Sequence, residues 1–341
     1  MMRHAFGSDE APSASERWDW LFLNSPAGAA THYLVADART RLAGQFATLP
    51  VRLQHHGEPV LGLAVVDMAT DPAHQRQGVF TALARAIYEG SASAAPIVFG
   101  FPNATAAPIH YGRFDWVELR PFPFLIRPLG NVRAALQTSA PRLASAGALL
   151  DGVISRLRAL EHTLRCAERT GASVVTLERF SAWADDLWRQ LSPRLGTCVV
   201  RDAAYLNWRF CESPYPYRRY ALARDGEPVG FAVTTFSPTR YGRLCHLMEL
   251  MAAPDDPAGA RLLLAHATSD AARDGASAIC AIATRRHPHR RALLQAGFLP
   301  APARLRAQMS FGVRRNGAGA IPNELFHIDD WYLSGADRDT L

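Results

Sequence analysis

The stretch Thr70–Phe80, TDPAHQRQGVF, joins an apolar run to an amphipathic one, and gathers a Pro, two Gln, an Arg and a single Gly at the junction. A strand that ends in a Pro turn and re-enters as a helix leaves backbone N–H groups unpaired at the helix start. Those donors and the helix dipole favour an anion, commonly a phosphate. Gly78 lets the backbone approach an oxyanion without a Cβ in the way. Gln75 and Arg76 add side-chain donors, and Thr81 adds a hydroxyl in the first turn. The plainer alternative is a turn that only caps a helix.

Other chemistries find less support. All 37 basic residues are Arg, so a Schiff-base lysine and a Walker lysine are both excluded. Cys166, Cys198, Cys211, Cys245 and Cys280 lie far apart with no CxxC spacing, and read as reduced thiols. His55, His56 and His74 stand in polar loop contexts, where histidines are more often solvated than catalytic. No His/Cys/Asp cluster has metal-ligand spacing, so no metal is expected. The net charge of +6 is spread out, which argues against nucleic acid as a partner. No apolar run is long enough to span a membrane, and the first residues carry no signal-peptide pattern. A cytoplasmic location is expected.

A length of 341 residues suggests two domains. Strands are expected over 31–37, over 41–54 with a break at Pro50, and over 58–69, with Gly57 in a hairpin turn between the last two. Val79, Leu83, Ala86 and Ile87 share a face of a helix ending near Gly90. A short strand over 95–103, a short helix containing Pro108 and closing strands over 116–129 follow. Leu150, Ile154, Leu157, Leu160 and Leu164 have helical spacing in a connector. The second half then repeats hairpin, strand, helix, strand and helix, with Asp225-Gly226 at its hairpin.

The segment QRQGVF resembles the Gln/Arg-x-x-Gly-x-Gly/Ala motif of the GCN5-related N-acetyltransferases, the GNAT superfamily. Gln75 and Gly78 match, whereas Phe80 replaces a small residue. VVDMATDP, VFGFPN and IHYGRFDW follow the family's order around it, with Asp115 where a Gly is usual. The resemblance implies an α/β (α+β) fold of two GNAT-like domains, each a mixed, mostly antiparallel sheet flanked by helices. Residues 1–130 would be the acyl-CoA-binding domain, 131–172 a helical connector and 173–341 a degenerate second copy. It also implies acetyl-CoA, or another acyl-CoA, as co-substrate. Its pyrophosphate would lie on Gln75, Arg76, Gln77, Gly78, Val79, Phe80 and Thr81. Its pantetheine arm would pair with the backbone of Met68, Ala69 and Thr70, and Asn103 would contact the cofactor. Tyr111 would protonate the leaving thiolate, a backbone N–H near Met68 would polarise the thioester, and Asp67 is a candidate base.

In the second half Asp255 and Asp256 put negative charge where a pyrophosphate would sit, so CoA is not expected there. Glu249 and Trp208 are candidates for acceptor contact; the plainer reading makes Trp208 core and Glu249 a solvated strand residue. Three function classes stand open. The first is an acetyl-CoA-dependent N-acyltransferase for a small-molecule amine, with a homodimer as its candidate assembly. The second is a Fem-type aminoacyl transferase, and the third a non-catalytic acyl-CoA-binding protein.

Overall fold

The computed structural model describes residues 14–129, 171–239, 242–317, 319 and 321–338. The expected helical connector lies, up to residue 170, outside the described residues. The chain begins with a short helix, α1 (Ala14–Trp18), and one π-helical turn over Asp19–Leu23. The strands β1 (Thr31–Ala36), β2 (Leu42–His55) and β3 (Glu58–Thr70) follow. Helix α2 (Val79–Ser91), β4 (Ile97–Gly100), α3 (Ala107–Arg113) and β5 (Val117–Glu118) come next. After β6 (Phe124–Pro128) the second half runs β7 (Ala172–Thr176), α4 (Ala182–Leu191), β8 (Thr197–Val199) and α5 (Ala203–Phe210). It continues with β9 (Arg218–Arg224), β10 (Glu227–Thr239), β11 (Gly242–Ala252), α6 (Pro257–Arg273) and β12 (Ala278–Ile282). Helix α7 (Arg290–Gln295), β13 (Leu299–Pro300), α8 (Ala303–Arg306) and β14 (Gly312–Arg315) close the list.

These strands form two mixed sheets, ordered β1-β2-β3-β4-β14-β5, with β8 also on β2, and β13-β6-β12-β11-β10-β9-β7. Both hairpins turn as their residues demand. His56 and Gly57 have φ of 49° and 92°, and Asp225 and Gly226 have 49° and 86°, the paired left-handed geometry that matches strand twist. Pro50 does not break its strand, contrary to expectation. It pairs opposite Leu63, while the other edge of β2 meets β1 only up to Thr48 and β8 only from Leu53. The missing Pro N–H therefore falls in a gap where no partner waits.

The sheets do not divide where the sequence suggests. Strand β6, expected to close the first domain, pairs with β12 and β13 in the second sheet, and β14 inserts between β4 and β5 in the first. Each half thus completes the other's sheet. One face of the first sheet packs Phe46, Leu63, Val65 and Val98 against Leu83, Ile87 and Tyr88 of α2. Its other face, with Ala47, Leu49, Val66 and Phe99, shares a core with Phe231, Met248 and Met251 of the second sheet and with Trp331 and Tyr332. Among the described residues, no helix is long and apolar enough to cross a membrane, and Cys198, Cys211, Cys245 and Cys280 are free.

Candidate active site

The site is organised by a break between two strands. The parallel ladder of β3 with β4 runs only from Gly62↔Ile97 to Ala64↔Phe99. Beyond it, β4 continues against β14 at Gly100↔Gly312, while β3 stays paired on its β2 side alone. The other edge of Val65–Thr70 therefore faces a slot. Within that stretch Gln45 opposes Ala69 and Ala47 opposes Val66, so Asp67 and Met68 form a bulge against Phe46.

Asp67 takes a φ of 47° there, and the bulge is pinned from two directions. The Gln45 amide donates to the Asp67 carbonyl at 3.0 Å. Arg17 of α1 donates to both carboxylate oxygens, at 2.8 Å to Oδ1 and in a closer contact to Oδ2. The Nε of Arg17 in turn donates to the Tyr215 hydroxyl at 2.9 Å. With its side chain only 4 % exposed and both oxygens engaged, Asp67 is a buried ion-pair partner and not an open base. The expectation of a catalytic Asp67 is corrected on that ground.

At the mouth of the slot the chain turns into α2. Asp71 accepts from the Ala73 N–H at 2.9 Å, setting the turn over Pro72–His74. Arg76 and Gly78 have φ of 62° and 82°, and Ala82 N–H makes a bond to the Gly78 carbonyl at 2.9 Å. The N–H groups of Val79, Phe80 and Thr81 precede that bond and have no intrahelical acceptor. A Cβ on Gly78 would meet nothing within 4 Å, so glycine is demanded here by its backbone angle, and the space beside it is open. Gln75, Arg76 and Gln77 are exposed around it, although the Gln77 amide is spent on the Ala73 carbonyl at 3.0 Å. Phe80 turns inward, its ring 5.7 Å from Phe46 and 5.5 Å from His110. The larger side chain thus packs into the core and away from the helix start.

Helix α3 presents two polar residues in different directions. His110 is fully buried, with Nε2 3.1 Å from the Met68 sulfur. The Trp116 indole donates to the Tyr88 hydroxyl and the latter pairs with His110 Nδ1, both at 3.1 Å. The imidazole thus bridges the Tyr88 hydroxyl on its Nδ1 side and the Met68 sulfur on its Nε2 side. Burial holds this histidine down to about 4, so it is neutral. Tyr111 points instead towards β14, where its hydroxyl pairs closely with Ser310, whose Oγ donates to Glu118 at 2.9 Å. Burial is the main cause that pushes the Tyr111 phenol up to about 12. Asp115 keeps the usual glycine geometry, with a φ of 56°. Asn103 spends its side-chain oxygen on the N–H groups of Thr105 and Ala106, at 3.1 and 2.9 Å. It caps the turn into α3, and only its amide nitrogen is left for a ligand.

The second sheet repeats the break and closes it from within. The β11–β12 ladder ends at Leu247↔Ala281, and Met248 bulges between Val233↔Glu249 and Thr234↔Leu247. The C-terminal segment lies against that bulge, where a Cβ on Gly335 would come 2.9 Å from Met248 Cα. Glu249 is 1 % exposed and accepts from Arg201 Nε and Ser334 Oγ, both at 2.8 Å, and from the Tyr332 hydroxyl. Arg201 also pairs with Asp337 at 2.7 Å. Glu249 is therefore neither solvated nor available to an acceptor, which corrects both readings of it. Asp256 is spent on Gly259 N–H and on Arg224, at 2.8 and 2.7 Å. Trp208 exchanges indole-to-carbonyl bonds with Trp20 at 2.9 and 2.7 Å. It also lines a cavity of about 50 Å³ between the halves, with Val51, Val66, Phe99 and Tyr205. Sequence reasoning missed Arg17, Gln45, Ser310 and Glu118. None of the four stands in a motif.

Each sheet thus carries a bulge at the end of a parallel ladder, with the break open in the first sheet and filled in the second. Residues 1–118 match the family model described as an acetyltransferase (GNAT) domain. That match makes residues 1–118 a GNAT domain. Comparison with curated proteins gives no match. Among solved structures it is similar to a GCN5-related N-acetyltransferase from Anabaena variabilis ATCC 29413. The TM-score is 0.55 at 10 % identity, over 93 % of this chain and 69 % of that one. It is also similar to N-myristoyltransferase from Saccharomyces cerevisiae with bound myristoyl-CoA. There the TM-score is 0.55 at 13 % identity, over 96 % of this chain and 81 % of that one. These likenesses establish the fold, tandem GNAT-like halves.

Proposed function

We propose that the chain transfers an acetyl group from acetyl-CoA to the primary amine of a small molecule, by direct attack within a ternary complex. The observation that carries this reading is the end of the β3–β4 ladder at Ala64↔Phe99, beside a helix whose start is set by Gly78. The residues fit such a co-substrate. The open edge of Val65–Thr70 offers N–H and C=O groups to a pantetheine arm. The N–H groups of Val79, Phe80 and Thr81 face an uncrowded surface suited to a pyrophosphate. When bound, acetyl-CoA supplies an activated thioester. A backbone N–H near Met68, beside the bulge, polarises the thioester carbonyl, since a preorganised donor stabilises developing oxyanion charge. Tyr111 stays protonated at neutral pH and, with its O–H turned from Ser310, protonates the departing sulfur. The free cysteines support a cytoplasmic setting.

A second reading, an acyl-CoA-binding protein without turnover, is favoured by the pairing of Tyr111 with Ser310 and not with a slot residue. Calorimetry with acetyl-CoA, followed by thiol release across a panel of amines, tests both. Saturable binding with release supports the enzyme, binding without release selects the second reading, and no saturable binding removes both.

A further inference from the structure

Two neighbouring histidines and an aspartate from far along the chain meet at the β2–β3 turn. His55 is the last residue of β2, and neighbours along a strand ordinarily point to opposite faces. His56 leaves the strand with a φ of 49°, a conformation L-residues other than Asn, Asp and Gly seldom adopt. That angle brings its ring round to the carboxylate that His55 also faces. His55 Nδ1 lies 3.7 Å from Asp330 Oδ2, and His56 Nε2 lies 3.2 Å from Asp330 Oδ1. The ligand atoms of all three residues fall within 4.8 Å of one another.

Two imidazoles and a carboxylate at such separations are the donor set of a borderline divalent ion, with further positions left open. The carboxylate is held from outside, as ligating groups at metal centres are. Arg286 donates to Oδ1 at 3.0 Å and Thr197 Oγ1 to Oδ2 at 3.2 Å. The Thr197 oxygen also lies 2.8 Å from His55 Nδ1. Arg286 opposes a cation, and its guanidinium is partly exposed to solvent, which screens it. We propose that His55, His56 and Asp330 form a divalent-cation site of the Zn²⁺ class. The ion clips the β2–β3 hairpin of the first sheet to the C-terminal segment. This site is independent of the acyl-transfer reading.

The test uses the full chain after dialysis against a chelator. Zn²⁺ is titrated by calorimetry, and Co²⁺ is followed by its visible absorption. The expected result is one equivalent of saturable Zn²⁺ per chain, a raised melting temperature, and Co²⁺ bands of low-coordinate intensity. His56→Asn keeps a residue that tolerates the left-handed turn, and is expected to weaken Zn²⁺ at least tenfold. Asp330→Asn is expected to abolish binding. Because the His56 side chain is 46 % exposed, His56→Asn should fold and decides the matter if Asp330→Asn does not. The proposal falls if the full chain takes up no Zn²⁺ saturably, or if His56→Asn leaves affinity and stoichiometry unchanged. The second result would mean either binding elsewhere or a plain His56–Asp330 ion pair.

Discussion

At the scale of single residues, Gly78 and Tyr111 bear most directly on the proposed chemistry. A carboxylate introduced at Gly78 stands at the positive end of α2, in the space proposed for a pyrophosphate, and its backbone must hold a φ of 82°. Gly78→Glu is therefore expected to loosen acetyl-CoA binding tenfold or more, as read by calorimetry; unchanged affinity would remove the helix start from the site. Tyr111→Phe is expected to lower turnover by about 10²–10⁴, the usual worth of a general acid, with little change in CoA affinity. Because its phenol is pushed up to about 12, the acid form persists through pH 10, and the wild-type rate should show no alkaline fall owed to Tyr111. Gly78 was legible beforehand, since a strand, a Pro turn and a Gln-x-x-Gly entry form a local pattern. The fates of Asp67 and Glu249 were not. Their partners Arg17 and Arg201 lie 50 and 48 residues away in sequence, and no spacing announces such a pair. The proposed cation site was hidden in the same way, as Asp330 is remote from the His-His pair it faces.

At the scale of elements, periodicity placed α2 and both hairpins, because alternation and 3.6-residue spacing report a face that must be buried, whereas α4 and α5 were not expected. Sheet membership was not legible. Strand β6 read as a closing strand of the first half and β14 was not expected, and which sheet each joins is settled by packing across the interface between the halves. The second slot is the clearest case of an element acquiring a purely structural use. Its bulge at Met248 survives, but Ser334–Asp337 and Arg201 fill the space beside it. Gly335→Ala would press a methyl against Met248 backbone, and overpacking of that kind costs about 1–3 kcal/mol. Denaturant unfolding should show that loss, with acetyl-CoA affinity unaltered. An altered affinity would mean that the filled slot reaches the open one.

At the scale of the whole molecule, buried neutral histidines set the response to acid. His110, His287 and His289 are at most 5 % exposed, and burial lowers them from 6.5 to about 4, 3 and 4. Once unfolded they bind protons below pH 6.5, while folded they stay neutral, so the unfolded state holds more protons and stability falls with falling pH. Each contributes about 1.4 kcal/mol per pH unit in that window. Melting curves between pH 7 and pH 4.5 should therefore drop steeply. A flat profile would show that these imidazoles reach water in the folded chain.

The exchange of strands also bears on how the chain is made. β14 supplies the inner partner that β4 and β5 need, yet it comes only at residues 312–315. A ribosome that has delivered the first 130 residues has not delivered the first sheet, and β6 waits exposed until β12 is made at 278–282. Folding in domain order is closed to this chain, so the first sheet is completed only after β14 has been made.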